Sequence, residues 1–387
     1  MNSMRRTLPF LYYLAYFGAA AFLQPFIILF FQERGFTGAQ IGLLAGLTPL
    51  VTLIGAPLWT GLADARMRHR LIMSLSILVC IITAAIFPFI STFALMIPLV
   101  ILYALFAASV NSFADSATMA MLGAEKQLYG RVRLGGTIGW GILAPVAGLI
   151  IDRYGLRWAF WGYAAIMLIT LIICQKFTFG APAESGSLLR DVRQVLTDRR
   201  WGLFLALAFV GGIAFTLVNS YLFPYLEELG ISRSTMGVAL FIATLSELPV
   251  LFFANYLLKR FTARGLFVLG ILITGVRLIL YGALNFQTGI LIFQLLNGLT
   301  YPMVWVAGVS YANELAPEGM KATAQGLLGA VVLGFGAAAG GLVGGLMLGS
   351  LHGQVTFLII GGFVLGAVGV IMLVERVTYL RQARSLG

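Results

Sequence analysis

The polar stretch "APAESGSLLRDVRQVLTDRR" (181–200) divides the chain into two long apolar parts, and this division decides how the fold is built. Of the 387 residues, 60% are hydrophobic and only 10% are charged, and the mean hydropathy is +0.97. Soluble domains contain roughly 25% charged residues, so this chain has too little charge to cover a water-facing surface. We therefore expect lipid to surround both apolar parts.

Each helix that crosses a bilayer needs roughly 20 mainly apolar residues, and polar or Gly/Pro clusters separate twelve such stretches here. The predicted spans are 8–31, 40–62, 71–90, 93–121, 131–151, 158–174, 201–225, 235–258, 265–284, 288–312, 324–349 and 354–375. The first is too long for a removable signal peptide. We predict an all-α membrane protein with an N-terminal half (1–175), a cytoplasmic central loop (176–200) and a C-terminal half (201–387).

Two short segments echo one another and indicate an internal repeat. "GFTGAQIG" (35–42) and "GISRSTMG" (230–237) both lie between the first and second spans of their half. Together with six spans on either side of a central loop, this echo predicts two parallel six-helix repeats. Repeats of this kind bind a substrate near the membrane midplane and rock to expose it to each side in turn.

The basic residues predict the orientation of the spans. With the N-terminus in the cytoplasm, twenty of the 25 lysines and arginines lie inside, four lie outside and one lies within a span. This asymmetry follows the positive-inside rule, and it places both termini in the cytoplasm. The net charge of +11 then marks a face that meets anionic lipids, so it requires no nucleic-acid partner. We expect a bacterial inner (plasma) membrane.

The sequence contains no signature of catalysis. The two cysteines and two histidines are far apart, and neither HExxH, GxSxG nor a phosphate-binding loop occurs. A membrane-embedded enzyme or a receptor would need a nucleophile, a metal cluster or a large soluble sensor domain. We therefore expect no enzyme activity, no metal and no cofactor.

Three ionisable residues, Asp115, Glu247 and Arg277, lie at spanning depth within apolar sequence. A charge at mid-bilayer costs from about 2.5 to more than 10 kcal/mol, so such residues face a cavity or pair with one another. They indicate either a substrate or proton site or an ion pair that locks helices together. Tyr12 and Tyr13, near the inner end of the first span, are assigned to an interfacial aromatic belt.

The segment after Asp115 supplies its expected partners. Asp115 lies near the end of the fourth span, and Arg131 and Arg133 lie in the first turn of the fifth. We expect Arg133 to face Asp115 and Arg131 to stay at the membrane surface. Trp140 follows two turns later on the same face, where its indole can stack on a sugar or an aromatic solute. A guanidinium and a carboxylate that face a cavity can bind hydroxyl groups or a carboxylate.

"LYGRVRLGGTIGWG" (128–141) resembles the start of the fifth helix in one branch of the major facilitator superfamily. That branch includes lactose permease, the nucleoside:proton symporters and the phenylpropionate permeases, and the resemblance extends over the whole chain. It implies the twelve-helix major facilitator fold. It also implies that Asp115, Arg133 and Trp140 contact the substrate, since they match the sugar-contacting positions of lactose permease.

The second half carries the same resemblance. In "SELPVLFF" (246–253), Glu247 matches the carboxylate of the eighth helix, and Arg277 matches the arginine of the ninth. The proton-coupling histidine and glutamate of lactose permease correspond to Asn297 and Thr300. Asn297 is therefore counted with the substrate-binding candidates, and Glu247 or Asp115 is left to carry protons, with Arg277 as the partner of Glu247. Gln294 is expected to bond to another helix or to contact the substrate.

"TGLADARMRHR" (60–70) resembles the GxxxDRxGRR loop that the superfamily places between its second and third helices. The resemblance implies a conformational role for Asp64, Arg66, Arg68 and Arg70. A basic loop facing water is the alternative. Met67 stands where the second glycine of that pattern is found.

These features predict a secondary active transporter that works as a monomer by alternating access. The resemblance favours proton-coupled uptake of a small polar organic solute such as a sugar, a nucleoside or an aromatic acid. A proton-coupled drug or metabolite exporter is the alternative. "GGTIGWGILAPVAG" (135–148) does not read like the fifth-helix pattern of exporters.

Overall fold

The computed structural model describes residues 2–180, 198–284, 286–318 and 320–385. Most of the predicted central loop (176–200) lies outside these ranges. Eleven described stretches are long and apolar enough to cross a membrane. One of them, Phe93–Tyr154, contains two helices, so the twelve predicted spans are present. No strand occurs in the described ranges, and the all-α membrane fold is confirmed.

The first six helices agree with the predicted spans to within about six residues at each end. They are α1 (Asn2–Leu23, continued by Ile27–Glu33), α2 (Gly38–Arg66), α3 (His69–Ile86), α4 (Phe93–Leu122), α5 (Tyr129–Tyr154) and α6 (Arg157–Cys174). A 3₁₀ turn, Gly123–Leu128, connects α4 to α5. The break in α1 lies at Pro25, which has no N–H to donate to the preceding turn.

The second six helices are interrupted more often. They are α7 (Arg199–Thr216, then Leu217–Tyr221 and Leu222–Glu228), α8 (Arg233–Phe252, then Ala254–Arg260), α9 (Ala263–Ala283), α10 (Gln287–Phe293, Gln294–Leu299 and Tyr301–Leu315), α11 (Lys321–Gly329, Ala330–Gly336 and Ala337–Ser350) and α12 (Gly353–Ser385). The middle segments of α7 and α11 are π-helical, and that of α10 is 3₁₀. Such irregular turns frequently lie at functional positions.

The two echoed segments adopt the same local geometry, as the predicted repeat requires. Gly35 and Gly230 end their helices with φ of 75° and 73°, in the left-handed region that favours glycine. Two residues later, Thr37 Oγ1 accepts a hydrogen bond from Gln40 N, and Ser232 Oγ accepts one from Thr235 N, both at 3.3 Å. Each repeat therefore starts its second helix with the same glycine turn and hydroxyl cap.

Contacts between Cα atoms divide the chain into two compact units. The first contains Met1–Glu184 and Phe223–Thr244, and the second contains Ser185–Leu222 and Leu245–Gly387. The first half of α8 thus belongs to the first unit, although by sequence it is part of the second repeat.

Within the first unit, α5 and α8 touch through their backbones. A Cβ atom on Gly148 would lie 2.5 Å from Arg233 O, and one on Gly237 would lie 2.5 Å from Ala144 O. At the end of this contact, the backbone N–H of Arg233 donates to Asp152 Oδ1 at 3.2 Å. A carboxylate from one repeat therefore caps the first turn of a helix from the other.

Candidate functional site

In the first unit, the polar residues of α4 meet α1 at Tyr13. The Tyr13 hydroxyl donates to Asp115 Oδ1 at 2.5 Å, and Thr118 Oγ1 lies 3.3 Å from the same hydroxyl. Tyr129, the first residue of α5, also lies beside Asp115. Tyr13 is fully buried and Asp115 is half-buried, so the carboxylate is held at the edge of the protein interior.

Arg133, on α5, lies over the same tyrosine. Its guanidinium carbon is 4.9 Å from the centre of the Tyr13 ring and 4.1 Å from that of Phe17. Aromatic faces attract a cation and leave the N–H edges of the guanidinium open. Among the described residues, Arg133 makes no hydrogen bond and no ion pair, and it does not pair directly with Asp115. None of its donors is therefore used by another described side chain.

The glycines of "GRVRLGGTIGW" create this arrangement. A Cβ on Gly139 would overlap the carbonyl oxygen of Leu14, so α5 lies directly on the backbone of α1. A Cβ on Gly136 would lie 2.5 Å from Arg133 Nη1 and 2.8 Å from Phe17 Cδ2. Without side chains at these positions, the guanidinium can lie over the Phe17 ring.

Other residues of this region are partly where the sequence predicts. Arg131 is exposed, as expected of a residue at the membrane surface, and Trp140 is half-buried on the same helix as Arg133.

The assignment of Tyr12 and Tyr13 to an interfacial belt is wrong, because both have 0% of their surface exposed. Sequence reasoning missed Tyr13 because a tyrosine near a span end also fits a lipid interface. The spacing of four residues between Tyr13 and Phe17 was the available signal.

In the second unit, Arg277 on α9 is 2% exposed and is surrounded by neutral oxygens. Its Nε donates to the Tyr281 hydroxyl at 2.8 Å, and its Nη2 donates to Gln294 Oε1 at 2.7 Å. Its Nη1 donates to Asn297 Oδ1 at 2.8 Å and to Thr300 Oγ1 at 3.2 Å. Four hydrogen bonds thus hold a cation that would otherwise be costly to bury.

The 3₁₀ turn of α10 explains why three of these partners face one side. Side chains three residues apart eclipse in a 3₁₀ helix, as Gln294 and Asn297 do here, and Thr300 follows three residues later as the C-cap of the turn. Of the two alternatives for Gln294, the structure shows a bond to another helix, from Arg277 on α9. Tyr281 lies one turn after Arg277 on α9 and was missed by the sequence reasoning. The three-residue spacing of polar side chains before Pro302 could have identified the cluster.

Asn297 separates Arg277 from Glu247. Its Nδ2 donates to Glu247 Oε1 at 2.7 Å, and Glu247 is half-buried on α8. The expected direct pairing of Glu247 with Arg277 is therefore wrong in this structure, because the amide of Asn297 lies between them. Gly298 permits this contact: its Cβ would overlap the carbonyl oxygen of Ser246, so the turn lies on the backbone of α8.

The basic loop after α2 has one unusual backbone position. Met67 has φ 51°, the left-handed conformation that suits the glycine found there in the superfamily pattern. Asp64 Oδ1 lies 2.7 Å from His69 Nε2, and Arg70 donates to the Phe177 carbonyl oxygen at 2.7 Å. These contacts tie the loop to the end of α2 and to the segment after α6.

The remaining arginines of the loop, Arg66 and Arg68, are exposed. No group of histidine, cysteine or carboxylate side chains in the described residues could hold a metal ion.

Twelve membrane-crossing helices in two repeats, with charged side chains at spanning depth, define a transporter of the major facilitator type. The chain belongs to the MFS_1 like family, whose model matches residues 7–359. It is therefore an integral membrane protein and a secondary transporter, and it is not an enzyme.

Several known transporters are similar to this chain over most of its length. The maltose permease of Geobacillus stearothermophilus is 27% identical over 345 residues, which cover 88% of this chain and 86% of that protein. The putative nucleoside transporter YegT of Escherichia coli (strain K12) is 24% identical, with 88% and 84% covered. A crystal structure of a mutant of the nucleoside transporter NupG superposes with a TM-score of 0.86 at 16% identity, covering 96% of this chain and 99% of that one. The last likeness concerns the fold alone.

Proposed function

We propose that the protein takes up a neutral, hydroxyl-rich solute, a sugar or a nucleoside, together with protons. The observation that carries this proposal is Arg133, a half-buried guanidinium that rests on two aromatic rings and makes no hydrogen bond with the described residues. The guanidinium has five N–H donors, and the hydroxyl groups of a solute can supply acceptors for them.

The charge next to Arg133 favours a neutral solute. Asp115 touches the same tyrosine, so the site offers a negative acceptor and positive donors side by side. A hydroxyl group both donates and accepts, and it can therefore use Asp115 and Arg133 together. An aromatic acid would bring its carboxylate close to Asp115 and lose much of what it gains from Arg133. Trp140, on the same helix, supplies an aromatic face for a sugar ring.

The names of two relatives support a neutral solute: one is named for maltose and another for nucleosides. Both are solutes with several hydroxyl groups and no carboxylate. This shared chemistry supports a sugar or a nucleoside over an aromatic acid.

Proton coupling is assigned to Glu247. As a carboxylate it accepts the hydrogen bond from Asn297, and as an acid it can still accept that bond through its carbonyl oxygen. The acid form also carries an O–H that can donate a hydrogen bond in turn. In a coupled carrier, protonation of this carboxyl and binding of the solute favour one another.

We further propose that the two halves, 1–175 and 201–387, rock about the solute while the protein acts as a monomer. The contact of Gly148 with α8 must part whenever the site opens at that end. The distribution of basic residues places both termini and the central loop (176–200) in the cytoplasm of a bacterial cell, where the loop of Asp64, Arg66, Arg68 and Arg70 moves with the halves.

Purified protein in liposomes tests the solute and the direction. With an acidic outside and a neutral inside, radiolabelled maltose or uridine should accumulate in the lumen, while phenylpropionate should not. Collapse of the pH gradient with a protonophore should abolish the accumulation. Accumulation of phenylpropionate alone contradicts the proposal, and proton-driven extrusion of the solute supports the exporter instead.

The variant Glu247→Gln tests the coupling. It mimics the protonated form, so it should bind the solute and exchange it across the membrane but fail to concentrate it under a pH gradient. Glu125→Gln serves as the control, because Glu125 lies on the turn between α4 and α5 and pairs with Arg6. Uphill accumulation by Glu247→Gln vesicles would remove Glu247 from the coupling step.

A further inference from the structure

We infer that Tyr13 is a positioning residue that keeps Asp115 and Arg133 apart, so that both remain available to the solute. This inference rests on the proposed function, because it explains how the two charged groups of that site avoid neutralising one another. Tyr13 contacts both groups: its hydroxyl bonds to Asp115 at 2.5 Å, and its ring lies 4.9 Å from the guanidinium carbon of Arg133.

A carboxylate and a guanidinium that touch the same side chain can form a two-pronged ion pair. In such a pair, both oxygens of the acid and two N–H groups of the arginine bond to each other. Neither Asp115 nor Arg133 is paired in this way among the described residues. The hydrogen-bonding groups of Asp115 and the positive charge of Arg133 must therefore have separate partners in the protein.

Tyr13 meets both requirements with one side chain. Its O–H gives Asp115 a neutral donor, and its ring, together with Phe17, gives Arg133 an attractive face. A face contact leaves the edge of the guanidinium, where the N–H groups point, uncovered. Tyr13 is fully buried, so its side chain has a fixed place between the two half-buried charged groups.

Removal of the Tyr13 hydroxyl should therefore let Asp115 and Arg133 form an ion pair with each other. In Tyr13→Phe the ring remains beneath Arg133, but Asp115 loses its donor and turns to the nearest cation. Tyr129 also lies beside Asp115, but the guanidinium of Arg133 rests on Tyr13 and Phe17. Tyr129→Phe should accordingly leave Asp115 and Arg133 unpaired.

The chain offers a matched control in the preceding residue. Tyr12 is as fully buried as Tyr13, but its hydroxyl has no hydrogen-bond partner in the described structure. Tyr13→Phe should weaken maltose binding about tenfold, since Asp115 and Arg133 would then pair with each other and would have to separate before they bind the solute. Tyr12→Phe removes the same atom and should change maltose binding by less than about twofold, because no hydrogen bond is lost.

A second measurement is independent of any solute. Asp115→Asn, Arg133→Gln and the double variant are combined into a double-mutant cycle on unfolding in detergent, with Tyr13 present and with Tyr13→Phe. The two groups should be uncoupled when Tyr13 is present. In Tyr13→Phe they should be coupled by about tenfold in the unfolding equilibrium constant, since a direct ion pair forms.

The two readouts separate the possible failures. If the wild type binds neither maltose nor uridine, the proposed function is wrong, while the coupling cycle still tests Tyr13. If the wild type binds maltose, and Tyr13→Phe binds it as tightly with the coupling unchanged, the role of Tyr13 is overturned. Equal losses in Tyr12→Phe and Tyr13→Phe would also overturn it, since burial alone would then explain both.

Discussion

Each half of the protein contributes one arginine to the candidate site, and the surroundings of the two arginines are opposite. Arg133 is half-buried, lies on two aromatic rings and makes no hydrogen bond with the described residues. Arg277 is 2% exposed and donates to four neutral oxygens from two helices. The comparison teaches that the acceptors around an arginine decide its role. The guanidinium of Arg133 makes no hydrogen bond with the described residues, whereas that of Arg277 joins two helices and is linked to Glu247 through Asn297.

Replacing Arg277 should produce the largest effect on folding. In Arg277→Met four oxygens lose their donor, and each buried polar group left unsatisfied costs about 1–3 kcal/mol. We expect the free energy of unfolding to fall by about 3 kcal/mol or more. Denaturant unfolding in detergent measures this loss, with Arg133→Met as the matched variant. Arg133→Met loses only two ring contacts, worth about 0.5–2 kcal/mol each. Equal losses of unfolding free energy in Arg277→Met and Arg133→Met would contradict the proposed difference between the two arginines.

Arg133→Lys should show the reverse pattern, with transport lost and folding kept. An ammonium group can still lie over the rings, but it lacks the planar fork that binds two hydroxyls at once. We expect uptake to fall at least about tenfold at equal expression, which corresponds to about 1.4 kcal/mol of binding energy. Initial rates in proteoliposomes and the unfolding temperature in detergent give the two values. Wild-type uptake would show that Arg133 is only structural.

Gly298→Ala should reduce both the stability of the protein and its pH-driven accumulation of solute to an intermediate degree. The added Cβ overlaps the carbonyl oxygen of Ser246, so the 3₁₀ turn must move away from α8 and the bond from Asn297 to Glu247 should break. Overpacking of this kind costs about 1–3 kcal/mol. Accumulation driven by a pH gradient should fall more than solute exchange. Gly329→Ala is the control, since nothing lies near its Cβ. Equal losses of exchange and accumulation would argue against Asn297 as the link.

Met67→Gly should have the smallest effect and should involve neither arginine. The left-handed conformation of Met67 costs a non-glycine residue roughly 1–2 kcal/mol, which glycine avoids. Because glycine also gains more freedom in the unfolded chain, we expect a net stabilisation of about 0.5 kcal/mol. The unfolding midpoint should rise while uptake stays as in the wild type. A lower midpoint would mean that the Met67 side chain makes contacts that outweigh its backbone strain.

The helices could be predicted from the sequence because the bilayer fixes their length and composition. The twelve spans follow from apolar stretches of about 20 residues, and the echo around Gly35 and Gly230 indicated the repeat. Hydropathy does not report where a helix is broken inside the membrane. The π-helical turn Leu217–Tyr221 and the 3₁₀ turn Gln294–Leu299 therefore appear only in the structure.

For the candidate site, too, the sequence predicted one part and not the other: it predicted the charged residues but not their neighbours. Asp115, Arg133 and Glu247 could be selected because a charge in an apolar run is costly and so points to a site or a partner. Their actual neighbours depend on helix packing, which sequence spacing does not specify. Tyr13 and Asn297 contact these charged residues because glycines let the helices approach closely. The functional roles assigned to all of them remain predictions.

The backbone contact between Gly148 and Gly237 also limits how this sequence can diverge. Every amino acid other than glycine carries a Cβ, so any missense change at either codon places an atom where another helix already lies. No gradual series of slightly larger residues is available, as it is at a leucine or valine position. The two codons should therefore tolerate almost no variation in a saturation library selected for solute uptake, whereas Gly202, with open space around its Cβ, should accept many residues.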